Sequence, residues 1–98
     1  MNKNEPDDNF WDRADRFIEI ANEFCGQTSM GKVSSSFLYA ASRFSSFVVA
    51  SSAKSSDELQ NQKKAAIEYF VEQYRKMLEE NIEDHIKNFD KYTSHSGS

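Results

Sequence analysis

Residues 26–32 carry the glycine and lysine spacing of a phosphate-binding loop. The segment reads GQTSMGK. It matches the pattern G-x-x-x-x-G-K, in which backbone N–H groups surround the phosphates and a following Ser or Thr holds magnesium. Here Val33 follows the lysine, and the residues before Gly26 have the periodicity of a helix, whereas that loop follows a strand. We therefore predict a connecting loop between two helices, from Gln27 to Lys32.

A weaker anion site remains open at the start of the helix that follows this loop. The N-terminus of a helix offers unpaired N–H groups and the positive end of the helix dipole. A serine at position 34 or 35 is expected to cap this helix. The candidate anion-binding residues are Gly31, Lys32, Ser34 and Ser35.

Acidic residues surround a histidine near the end of the chain. The group comprises Glu79, Glu80, Glu83, Asp84 and His85. A di-iron bundle needs Glu-x-x-His pairs on two helices, but the residue three positions before His85 is Ile82. We interpret the group as a solvated helical face and predict no metal site and no cofactor.

The remaining composition disfavours catalysis, nucleic-acid binding and export. Two histidines and one cysteine, Cys25, offer no nucleophile–base spacing. The net charge is −4 and the basic residues are scattered, so no patch follows a phosphate backbone. The first ten residues lack the apolar region of a signal peptide. We expect a non-enzymatic cytoplasmic protein that does not bind nucleic acid.

The stretch from Val33 to Ala53 organises the predicted fold. It contains a single charge, Arg43, and its apolar residues recur on one helical face with Phe44 at the centre. A membrane-spanning helix needs about 20 predominantly apolar residues, and the eight serines of this stretch argue against one. We therefore predict the central helix of a small helical domain whose core includes Phe44, and no membrane association.

The periodicity predicts an all-α, three-helix up-down-up bundle with a long third helix. The expected helices span residues 8–25, 34–53 and 56–90. Asp7 or Asp8 is expected to cap the first, Gly26 to end it, and Ser55 with Glu58 to open the third through a capping box. Residues 8–92 form a single helical domain in this interpretation, between a disordered lead-in at 1–7 and a disordered tail at 93–98.

Three long blocks of this sequence are similar to a known family. They are FWDRADRFIEIANE, KVSSSFLYAASRFSSFVVASS and IEYFVEQYRKMLEENIEDHI. Together they resemble the domain of unknown function 3144 family, whose members are small, single-domain bacterial proteins. The resemblance implies a bacterial, cytoplasmic protein and brings no activity, cofactor or catalytic residue.

The third helix is too long for the second to cover. At about 1.5 Å per residue, it extends roughly 20 Å beyond its neighbour. Either the helix breaks near Asn81 and folds back, or two chains cover each other, and we favour a homodimer. The predicted interface residues are Met77, Leu78, Ile82, Ile86 and Phe89. The expected function is a protein-interaction or self-associating module; the alternative is a small-ligand or anion-binding protein that uses the 26–35 loop and the N-terminus of the central helix.

Overall fold

A computed structural model describes residues 8–91, and this part of the chain is helical without a strand. The helices are α1 (Phe10–Cys25), α2 (Met30–Ser52) and α3 (Ser56–Lys87). The all-α class is therefore confirmed. The proposed lead-in at 1–7 and tail at 93–98 lie outside the described residues. The chain divides into two compact units, Met1–Val48 and Val49–Ser98, with the boundary inside α2.

Helix α2 begins four residues earlier than the sequence predicts. It starts at Met30, so Gly31 and Lys32 belong to its first turn and the prediction of a loop through Lys32 is wrong. The Ser29 hydroxyl accepts the Lys32 N–H at 3.3 Å, and the Ser29 carbonyl accepts the Val33 N–H at 3.1 Å. Ser29 therefore does the capping that we assigned to Ser34 or Ser35. A cap of this kind stabilises a helix by about 1 kcal/mol, which offsets the similar cost of having a glycine, here Gly31, inside it.

Serines inside α2 bond to their own helix. The hydroxyls of Ser42, Ser46 and Ser52 each donate to the carbonyl three residues earlier, at 2.8 Å. Such bonds satisfy the hydroxyl without any tertiary partner. The serine content of α2 is thus compatible with a helix that packs through small and aromatic residues.

Helix α1 ends at Cys25, before Gly26, as the sequence predicts, but it begins two residues later than predicted. Its N-cap is Asn9, without a capping bond from the side chain, rather than Asp7 or Asp8. Arg16 pairs with Glu19 at 3.0 Å, one turn away on an exposed face. Gly26 follows the helix in a right-handed conformation, and its N–H donates to the Glu23 carbonyl at 3.2 Å. The helix therefore ends in a tightened last turn rather than at a left-handed glycine.

The predicted cap of α3 is present. The Ser55 hydroxyl accepts the Glu58 N–H at 3.1 Å. The Glu58 carboxylate reaches back to the Lys54 N–H at 3.4 Å, one residue before the position used in an ideal capping box. The cap thus holds both the first turn of α3 and the short connection from α2.

Replacement of Ser55 by alanine should destabilise the protein measurably. The change removes the acceptor of the Glu58 N–H, and such losses cost about 1 kcal/mol. Urea unfolding followed by circular dichroism measures the difference. Ser56→Ala, one position further along, is the matched control and should have almost no effect. Equal losses for the two variants would contradict a capping role for Ser55.

Helix α3 continues past Asn81 without a break. The Asn81 amide nitrogen donates to the Met77 carbonyl at 2.8 Å, so this side chain bonds to its own helix. The helix ends at Lys87, and the Asn88 N–H closes the last turn on the Asp84 carbonyl at 3.1 Å. Of the two possibilities that the sequence left open, a break near Asn81 is therefore excluded.

The chain by itself buries little of its apolar surface. Val33, at 7% exposure, is the one buried residue among those described. Phe44, which we predicted at the centre of the core, is 68% exposed. That prediction is wrong for the single chain, because residues on a helix's apolar face are buried only where another element covers them.

Candidate functional site

An apolar groove runs along the first unit between α1 and α2. We call it the α1–α2 groove; its volume is about 840 Å³. Helix α1 and the loop contribute Phe17, Ile20, Ala21, Phe24 and Thr28, and α2 contributes Lys32, Val33, Ser36, Phe37, Ala40, Ala41, Phe44 and Ser45. Most of this lining is aliphatic or aromatic carbon.

Helical periodicity explains why these side chains share one groove. On α1, Phe17, Ala21 and Phe24 lie three and four residues apart, and such positions fall on one face. The face of α2 has the same spacing, with Phe37 and Phe44 on either side of two alanines. The alanines leave depth between the phenylalanine rings, so the surface is concave.

One end of the groove is polar and positively charged. Thr28 and Lys32 line it near the loop between the helices. No ion pair of Lys32 occurs within residues 8–91, and α2 contains no acidic residue. The groove therefore combines an apolar floor with a cation at one end.

A second apolar surface lies on the distal half of α3. We call it the α3 strip; it consists of Tyr74, Met77, Leu78, Ile82 and Ile86. Each of these side chains is between 43% and 60% exposed, and Phe89 just beyond them is 61% exposed. Near the start of α3, by contrast, Leu59 and Ala66 are half-buried. Between these residues and the strip, Ile67 and Val71 are 52% and 60% exposed, so the apolar face of α3 is open beyond the strip as well.

The polar face of α3 is satisfied by its own charges. Arg75 pairs with Glu72 at 2.7 Å and with Glu79 at 2.8 Å. The hydrogen bond to Glu72, followed by its charge and by the same effects of Glu79, raises the pKa of Arg75 above its usual value. At about 100° per residue, Arg75 lies close to the direction of Ile82 and Ile86, so this charged group borders the α3 strip. The charged side chains Arg75, Glu72 and Glu79 therefore pair with one another, whereas the apolar side chains of the α3 strip remain exposed.

The predicted anion-binding residues do not form a phosphate-binding loop. Gly31 and Lys32 lie in the first turn of α2, while Ser34 and Ser35 lie in the next turn and are exposed. Of the four, only Lys32 lines the groove. The Ser29 hydroxyl already accepts the Lys32 N–H, so one of the donors needed for an anion is occupied.

The acidic residues near the end of α3 do not converge on a metal site. Glu79, Glu80, Glu83 and Asp84 are exposed, as the sequence predicts for a solvated face. Within residues 8–91, no group of three acidic, histidine or cysteine side chains is placed to hold a metal ion. Across the same residues, none of the three helices combines the length and apolarity needed to cross a membrane.

Sequence reasoning found the groove residues but assigned them to a closed core. Phe17, Phe24, Phe37 and Phe44 all belong to the apolar faces recognised by spacing. Periodicity identifies such a face but does not reveal what covers it. At the polar end of the groove, Lys32 is a candidate that the sequence analysis names, whereas Thr28 gives no signal because its place in the groove depends on how α1 and α2 pack.

Comparison with known proteins gives one family and one similar structure. The NMR structure of the protein NB7890A from a Shewanella species matches with a TM-score of 0.75 and 32% sequence identity, over 96% of each chain. No curated protein matches this sequence. The family model described as protein of unknown function (DUF3144) matches residues 10–86. The chain therefore belongs to the DUF3144 family.

Proposed function

We propose that this protein is a non-enzymatic interaction module that binds an amphipathic helix in the α1–α2 groove. The observation that carries the proposal is the groove itself, which is concave, apolar and bordered by phenylalanines. Helix-in-groove recognition uses apolar anchors on one face of a helix and a complementary apolar channel. Exposed apolar surface that is rimmed by polar residues is typical of an interaction site.

The dimensions of the groove suit a helix of three to four turns. Its α2 side runs from Lys32 to Ser45, a length of about 20 Å at 1.5 Å per residue. Phe37 and Phe44 are 39% and 68% exposed, which leaves ring surface available for a partner. Aromatic side chains at the centre of an interface contribute much of its binding energy.

Photo-crosslinking in the cells that make the protein tests this function. A benzophenone amino acid at position 44 places the reactive group in the groove. The same group at position 47 is the matched control, because Phe47 is on the same helix and equally exposed at 65% but does not line the groove. Protein adducts at position 44 and not at position 47 are expected. Equal labelling at both positions, or none at position 44, would contradict the proposal.

A second candidate function is the binding of a small amphipathic anion. It is favoured by the position of Lys32 at the end of an apolar groove, and by the groove volume, which is within the usual 300–1,000 Å³ of ligand sites. A carboxylate with an alkyl chain fits both features. The function would involve the 26–35 segment through Lys32 rather than through a phosphate-binding loop.

This second function predicts a clear difference between dodecanoate and inorganic phosphate. Dodecanoate should shift the NMR signals of groove residues in a saturable manner, and Lys32→Ala should weaken its binding because the carboxylate loses its counter-charge. Phosphate should give no saturable shift, because it cannot use the apolar floor. Equal binding of dodecanoate by the parent protein and by Lys32→Ala would exclude Lys32 as the head-group contact.

A further inference from the structure

We infer that the helix bound in the α1–α2 groove is the α3 strip of a second copy of this chain, and that two chains exchange these helices reciprocally. The inference rests on the proposed function and names its partner. Each chain contains both an open groove and an exposed helical face of matching character. A two-fold symmetric pair uses both surfaces of both chains, so the assembly closes at two copies.

The two surfaces agree in length. The α2 side of the groove, Lys32 to Ser45, spans about 20 Å along its helix, and the α3 strip, Tyr74 to Ile86, spans about 18 Å. Within the strip, Tyr74, Leu78, Ile82 and Ile86 follow one another at four-residue steps. Tyr74, Met77 and Leu78 have the i, i+3, i+4 spacing of the anchors that a helix presents to a groove, and Ile82 and Ile86 continue this surface with a rotation of about 40° per step.

The exposed apolar area of these two surfaces is large enough for the interface of a stable dimer. In the groove, Phe17, Phe24, Phe37 and Phe44 are 39–68% exposed. With the five residues of the strip and Phe89, about ten large side chains per chain are roughly half exposed, which corresponds to about 1,000 Å² if each side chain has about 200 Å². A standard interface buries about 800 Å² per partner. Reciprocal exchange would therefore supply enough area without any other contact.

The charges of the two surfaces are complementary. Helix α2 has Lys32 in the groove lining, Arg43 outside it, and no acidic residue. The distal half of α3, from Tyr74 to Lys87, contains four acidic residues (Glu79, Glu80, Glu83 and Asp84) and three basic ones (Arg75, Lys76 and Lys87), so it is acidic by one charge. Opposite potentials favour encounter of the correct surfaces and disfavour a groove-to-groove arrangement.

Crosslinking between two differently tagged chains tests this exchange. In a Cys25→Ser background, one chain has Ala40→Cys in the groove and the other has Leu78→Cys in the strip. The two are expressed together and treated with a short bismaleimide. Because each chain has a single cysteine, a mixed product can only join two copies. We expect the mixed product when the second chain has Leu78→Cys. We expect no mixed product when the second chain instead has Lys76→Cys, which lies on the charged side of α3.

Three outcomes would overturn the inference. The first is equal crosslinking for Leu78→Cys and Lys76→Cys. The second is a chain with both Ala40→Cys and Leu78→Cys that closes only within itself at every concentration. The third is a mass by light scattering of one chain, 11.3 kDa, rather than two. If Ala40→Cys lowers the helical circular dichroism signal, Ser36→Cys at the groove edge replaces it.

The same experiments separate this inference from the proposed function. If position 44 photo-crosslinks only to a different protein while the mixed cysteine product is missing, the groove binds a helix but not the α3 strip. If position 44 gives no adduct and the mixed product is also missing, both proposals are wrong.

Discussion

Phe44→Ala should destabilise the associated protein by about 3–5 kcal/mol, the usual cost of removing a buried phenylalanine side chain. In the single chain Phe44 is 68% exposed, and truncation of so exposed a side chain would change stability by less than about 1 kcal/mol. A large effect therefore requires that something fills the α1–α2 groove. Urea unfolding, fitted at several protein concentrations, measures the change.

Phe47→Ala is the control for this prediction. Phe47 has the same side chain, lies on the same helix and is 65% exposed, yet it does not line the groove. We expect its truncation to cost less than about 1 kcal/mol, as for other exposed positions. If Phe44→Ala were as mild as Phe47→Ala, the groove would be open in solution and the proposed function would lose its main support.

Ile82→Glu should dissociate the reciprocal pair. Ile82 is 49% exposed in the single chain, so a monomer would tolerate a carboxylate at this position. In the pair it would lie against the apolar groove, and the lost burial together with the desolvation of the carboxylate costs about 3 kcal/mol per site. At two symmetry-related sites, this corresponds to a dissociation constant about 10⁴-fold higher. Light scattering after size-exclusion chromatography, together with the dependence of Tm on protein concentration, measures the change.

Lys76→Gln is the matched control, because it changes the net charge by the same amount outside the strip. It should leave both the mass and the Tm nearly unchanged, as expected for an exposed residue. A parent protein that is monomeric, with a Tm that Ile82→Glu still lowers, would instead show that the strip packs on its own chain. The predicted interface residues would then be buried as expected, but against their own chain and not against a second copy.

Local signals in the sequence were sufficient for the helices and for one of their caps. The recurrence of apolar residues at three- and four-residue steps predicted three helices and no strand, and the spacing of Ser55 and Glu58 predicted the start of α3. These features depend on residues within one or two turns of each other, so they can be read from spacing alone. The same local reasoning placed the start of α2 too late, because Ser29 competes with Ser34 and Ser35 as a cap and spacing does not rank them.

The exposure of Phe44 and the surroundings of Lys32 could not be derived in this way. An apolar face requires cover, but periodicity is identical whether the cover comes from the same chain or from another molecule. Lys32 was identified as part of a loop motif, whereas the structure places it in a helix at the end of an apolar groove. Part of its surroundings comes from α1, a separate helix whose packing against α2 is not given by local spacing.

The sequence by itself determined the helical class, the family and the identity of the apolar faces, because hydrophobic periodicity and long similar blocks are properties of the linear chain. Only the tertiary structure decided that α3 is unbroken at Asn81 and that α1 and α2 leave a groove between them. Helix packing depends on side-chain volumes from separate segments, here two alanines opposite phenylalanines, and no linear pattern encodes that geometry. The same packing leaves Phe44 exposed in the groove, where a partner can contact it.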